Sequence, residues 1–109
     1  MSSPGLLLAV AIVSEVMATT ALRVSDGFTR PLPVAVMLVG YVCSFYLLSL
    51  IVREMSLGLT YAIWAGVGTA LVAAIGVVGF GETLKPAGVA GIALIVGGVG
   101  LVNLTGMAR

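Results

Sequence analysis

The spacing of charge along the chain limits its fold more than any other feature. Charged residues divide the 109 residues into four apolar stretches, 4–22, 31–52, 55–81 and 86–108, and the single charge inside any of them is Glu15. A helix rises about 1.5 Å per residue, so roughly 20 apolar residues cross a hydrocarbon core of about 30 Å. Each stretch is therefore long enough to span a bilayer. The links between them, Arg23 to Arg30, Arg53 with Glu54, and Glu82 to Lys85, are so short that neighbouring helices must run antiparallel, and an even number of spans returns both ends to one side. Hydrophobic residues make up 61% of the chain and charged residues 8%, against about 25% charged in an ordinary globular domain, so there is too little polar surface to coat a soluble globule. The expectation is an all-α integral membrane protein: one domain over 1–109, with helices at about 4–22, 31–52, 57–80 and 86–106.

Local signals agree. Pro31 and Pro33 open the second stretch and Pro86 the fourth, in first-turn positions whose N–H groups have no helical partner. The first stretch has no basic segment ahead of it and carries Glu15 where a secretory signal would be uninterrupted, so it reads as a retained helix. A net charge of +1 provides no basic stripe for phosphates, which excludes a nucleic-acid partner. With no histidine and one cysteine, Cys43, the chain has neither an intrachain disulfide nor a Cys/His set for a metal, and no cofactor is expected. The loop charges nearly balance. Arg53 and Arg109 fall on one side and Arg23, Arg30 and Lys85 on the other, a weak bias that leaves dual topology open with the termini slightly favoured outside.

Glu15 is the centre of the functional reading. A charged side chain at mid-membrane costs at least about 2.5–3.5 kcal/mol on insertion scales, and those that occur usually face a bundle interior and serve transport or proton relay. Ala11, Ser14, Ala18 and Thr19 flank Glu15 at helical spacings, giving it a small and polar face. Burial of a carboxyl favours its neutral form and a neighbouring cation favours the ionised form, so a proton and a cationic substrate would compete for one group. Aromatic pairs at helical spacing suit either the rest of such a site or an interfacial belt and plain packing. Tyr41 and Phe45 lie four apart, and Tyr61 and Trp64 three apart, so each pair shares a helix face; ring faces attract cations by about 0.5–2 kcal/mol.

Glycine marks two further elements. Gly66-Val67-Gly68 places two glycines in the middle of the third stretch, where a helix can bend or hinge. In the fourth, Ala90/Gly97, Gly91/Gly98 and Ala93/Gly100 recur at intervals of seven, a small-residue surface suited to helix association. Four helices barely enclose a pathway, so at least a dimer is expected, and two copies would bring two Glu15 carboxyls to one cavity as a coupled pair.

These segments resemble the small multidrug resistance transporters over essentially the whole chain. The likeness rests on Ser14-Glu15-Val16 followed by Ala18-Thr19-Thr20, on Asp26-Gly27-Phe28-Thr29-Arg30-Pro31, on Tyr61-Ala62-Ile63-Trp64-Ala65-Gly66-Val67-Gly68, and on Asn103-Leu104. The resemblance implies an antiparallel dimer of identical or paired homologous subunits in the bacterial inner membrane, surrounded by lipid, exchanging protons for hydrophobic or quaternary ammonium cations. It implies Glu15 as the shared proton and substrate site, Tyr41, Tyr61 and Trp64 as cavity lining, Gly66-Val67-Gly68 as the hinge, and Gly91 and Gly98 as the helix 4 contact. Guanidinium exporters are similar too, notably at Phe45-Tyr46-Leu47-Leu48-Ser49. They typically carry a tryptophan shortly after the glutamate, where this chain has Met17-Ala18, and lack the tyrosine found here as Tyr41. Those departures favour the multidrug subtype over an exporter of guanidinium or another small metabolite cation. Arg23 stands in place of the family's usual lysine, and Ser56 in place of a common proline. A non-transporting structural subunit, with Glu15 as an assembly hydrogen bond, is the alternative from another class; a proton-translocating rotor subunit would leave the aromatic set unexplained.

Overall fold

The computed structural model describes residues 4–105 and contains four helices: α1 (Pro4–Val24), α2 (Pro31–Ile51), α3 (Leu57–Phe80) and α4 (Pro86–Thr105). All four are long and apolar enough to cross a membrane. Their large apolar side chains remain largely uncovered, with Val39 71%, Val78 87% and Leu104 85% exposed. Surfaces of that kind are ruinous in water and ordinary against lipid tails, where only helices and closed barrels keep every backbone group satisfied. The expected all-α membrane architecture is the one observed.

The helix ends differ from expectation by a residue or two, for local reasons. α1 continues past 22 to Val24, placing Arg23 in its last turn, where a cation meets the exposed carbonyl end of the helix dipole favourably. α2 stops at Ile51, and the Val52 amide closes it by donating to Leu48 at 3.1 Å. α4 is described to Thr105, so Gly106, the last residue of the expected helix, and Arg109 of the charge count lie outside the described residues.

The chain divides into two compact units between Glu54 and Met55. In the first, α1 and α2 pack closely, α1 burying Leu8, Ala11, Ile12, Val16 and Ala18. They approach closely at Gly40. A Cβ built there would stand 2.8 Å from the Ala18 Cβ and 3.0 Å from the Ser14 carbonyl oxygen, so glycine is what lets the two backbones meet. The connecting loop is wound around Ser25, which is fully buried. Its hydroxyl donates to the Leu22 carbonyl at 2.7 Å and accepts from the Phe28 amide at 3.2 Å, while its own carbonyl accepts from the amides of Thr29 and Arg30. The turn passes through three consecutive left-handed residues, Asp26 (φ 51°), Gly27 (φ 70°) and Phe28 (φ 70°). Only the middle one is free of the steric cost that a side chain brings to that region.

In the second unit α3 and α4 pack less extensively. Ser56 caps α3, its hydroxyl accepting from the Leu59 amide at 3.2 Å, which gives this serine a structural role. Gly81, at φ 66°, ends α3, and the Glu82 amide donates back to the Gly76 carbonyl at 3.0 Å. The Glu82 carboxyl lies over Gly76, in space a Cβ would occupy. α4 buries none of its residues.

Candidate functional site

The polar face of α1 is assembled by helical spacing. Thr19 lies one turn beyond Glu15, and its hydroxyl donates to Glu15 Oε2 at 2.5 Å. The same hydroxyl oxygen is 2.8 Å from the Tyr41 hydroxyl on α2. A continuous string of hydrogen bonds therefore runs from Glu15 on one helix through Thr19 to Tyr41 on the next. Glu15 and Tyr41 are both half-buried.

The positions of these groups follow from the packing around them. Gly40 sets the distance between the helices and is followed directly by Tyr41, so the close crossing delivers the phenol to Thr19. The Tyr41 ring is stacked on Phe45 with centroids 6.3 Å apart and planes 17° apart, the face-sharing that their four-residue spacing calls for. Ser44, fully buried, donates to the Tyr41 carbonyl at 2.9 Å and so satisfies its own hydroxyl within the helix. Ala11 and Ala18, expected beside Glu15, are completely buried.

On the neighbouring flank Ser14 donates to Cys43 Sγ at 3.8 Å. Ser14, Met17, Ala35, Val36, Val39, Gly40 and Cys43 line an apolar groove there of about 390 Å³. Glu15, Thr19 and Tyr41 are not part of that lining, so the polar string and the apolar groove occupy different flanks of the α1–α2 pair.

In the second unit Tyr61 is 70% exposed on the first turns of α3, and Trp64 is half-buried. α3 is an unbroken helix through Ala65-Gly66-Val67-Gly68. Gly66 is buried, and a Cβ there would collide with the Val99 side chain of α4. This glycine thus serves the packing of α3 on α4, whatever bending it also permits. Gly91 and Gly98 are placed differently: a Cβ at either would meet nothing within 4 Å among the described residues, and the same holds for Gly97 and Gly100. The small-residue surface of α4 is open.

Sequence reasoning singled out Glu15 and Tyr41 but passed over Gly40 and gave Thr19 only as a neighbour. A lone glycine directly before a tyrosine in an otherwise bulky helix was the available signal for the first. The second needed the crossing of α1 and α2, which no single-helix periodicity contains.

The chain is similar to known proteins over most of its length. The family model for the small multidrug resistance protein matches residues 5–95. The quaternary ammonium compound-resistance protein QacE of Escherichia coli is 44% identical over 103 residues, covering 94% of each chain. The multidrug resistance protein EbrB of Bacillus subtilis is 46% identical over 98 residues, covering 90% of this chain and 84% of its own. EbrA of Bacillus licheniformis is 44% identical over 100 residues, with coverage of 92% and 95%.

Proposed function

Because the chain belongs to the small multidrug resistance family and is a multi-pass protein of the bacterial cell (inner) membrane, we propose that it is a proton-coupled antiporter that exports lipophilic and quaternary ammonium cations by alternating access. The names of the relatives, a quaternary ammonium compound-resistance protein and multidrug resistance proteins, support that substrate class. The observation that carries the mechanism is the half-buried Glu15 in the middle of a membrane-spanning helix, hydrogen-bonded to Thr19 and through it to Tyr41.

Protons and cations exchange at Glu15. A carboxylate attracts the cation; protonation removes that attraction and releases it, so one group binds either and carries them in opposite directions. Tyr41, Tyr61 and Trp64 supply ring faces for the aromatic or alkylammonium part of the substrate. Gly66-Val67-Gly68 gives α3 the freedom to bend as access alternates. Two copies in antiparallel arrangement, or one copy with a homologous subunit, enclose the pathway; the open surface of α4 at Gly91 and Gly98 supports its use in that contact.

Purified protein in liposomes under an imposed pH gradient tests this reading. Tetraphenylphosphonium should be driven against its own gradient while guanidinium is moved poorly. Guanidinium movement that exceeds phosphonium movement would transfer the assignment to a small-cation exporter.

A further inference from the structure

We infer that Thr19 is a positioning residue that relays the protonation state of Glu15 to the hydroxyl of Tyr41, an inference that rests on the proposal of Glu15 as the proton-binding group.

A threonine hydroxyl has one hydrogen to donate and lone pairs to accept with, and Thr19 Oγ1 lies between Glu15 Oε2 and Tyr41 Oη. The hydrogen count fixes the direction of the string when Glu15 is ionised, and a proton on Oε2 favours its reversal. With Glu15 ionised, the carboxylate is acceptor only, so Thr19 donates to it and Tyr41 must donate to Thr19. When Oε2 takes up a proton from water, the new O–H donates to Thr19 Oγ1, the Thr19 hydrogen turns towards Tyr41 Oη, and the Tyr41 hydrogen is released to another acceptor. No proton leaves Thr19 or Tyr41; their hydrogens rotate about the C–O bonds.

The two directions present different faces to a substrate. With Glu15 charged, the Tyr41 hydrogen is held by Thr19 and the phenol oxygen offers only lone pairs, which suit a cation. With Glu15 neutral, the Tyr41 O–H is turned outward and its positive end opposes one. Tyr41 thus reinforces the exchange that Glu15 begins, and stacking on Phe45 holds the ring in place while its hydrogen turns.

Few other ionisable groups stand on these two helices. On α1 there is Arg23 in the last turn. On α2, the helix packed against α1, Cys43 takes the Ser14 hydroxyl, Tyr46 is exposed, and Tyr41 is the group that meets Thr19.

The test is a pH titration of the protein in lipid, labelled with ¹³C at tyrosine Cζ and glutamate Cδ, with Tyr41 identified by its loss in Tyr41→Phe and Glu15 by its loss in Glu15→Gln. In the unsubstituted protein, Tyr41 and Glu15 should shift with one midpoint. In Thr19→Val the Glu15 step should remain and the Tyr41 step vanish, and Thr19→Ser, which keeps the hydroxyl, should restore it. Tetraphenylphosphonium affinity should fall about three- to tenfold in Thr19→Val, with Tyr41→Phe adding nothing further in that background. A Tyr41 step that persists in Thr19→Val, or that is absent from the unsubstituted protein while Glu15 titrates, overturns the relay, as do additive affinity losses. A Glu15 carboxyl that does not titrate overturns the underlying assignment, and the relay with it.

Discussion

The two helical pairs of this protein use small residues for opposite purposes. In α1–α2 the small residues are consumed: Gly40 lies against Ala18 and Ser14, Ala11 and Ala18 are completely buried, and the close contact holds a glutamate, a threonine and a tyrosine in one hydrogen-bonded string. In α3–α4 the use is divided. Gly66 is filled by Val99, Gly76 by the Glu82 carboxyl and Gly88 by Leu84, but along the rest of α4 a Cβ at Gly91, Gly97, Gly98 or Gly100 would meet nothing within 4 Å among the described residues, and α4 buries none of its residues. A transporter needs both properties. The first pair holds polar side chains in fixed geometry, and the second presents on α4 an exposed small-residue surface of the kind that helix association draws on.

The largest effect that would break this contrast is expected at Gly40. Gly40→Leu drives a side chain into Ala18 and the Ser14 carbonyl, separates α1 from α2 and pulls Tyr41 away from Thr19. The expected loss exceeds the roughly 1–3 kcal/mol of ordinary overpacking, because backbone on one side cannot yield; denaturation by SDS from detergent micelles would measure it. A Gly40→Leu protein of unchanged midpoint would mean that the crossing is not close.

Gly66→Ala comes next, at about 1–3 kcal/mol by the same measurement. Here the obstacle is a side chain rather than backbone, so Val99→Ala introduced with it should recover most of the loss. Failure of that rescue would remove Val99 as the reason for the glycine. The smallest effect on stability is expected at Gly98→Leu, within about 0.5 kcal/mol for the single chain, since open space receives the new side chain. Self-association read by energy transfer between labelled copies should nevertheless weaken, and unchanged association would take α4 out of the contact.

How much of this was legible in the sequence follows the same division. Four spans could be read because run length, loop charge and the prolines at 31, 33 and 86 all point to similar boundaries. Glu15 could be read because one charge in a span is costly wherever its helix packs. The link from Thr19 to Tyr41 could not, because it joins residues 22 positions apart across a crossing whose closeness depends on Gly40 and Ala18 together. The sequence marks Gly66 for flexibility, yet it is buried against Val99; a glycine that permits bending and one that permits close packing look the same until the neighbour is known. The loop after α1 was similarly opaque. Its buried Ser25 and its left-handed Phe28 follow from a specific set of turn hydrogen bonds rather than from any periodicity.

If one carboxyl binds either a proton or the substrate, substrate binding must displace protons. Tetraphenylphosphonium added to purified, weakly buffered protein over a series of starting pH values should release protons into solution, and Glu15→Gln should release none. Substrate binding to the unsubstituted protein without proton release, or equal release from Glu15→Gln, would mean that Glu15 is not the group the two share.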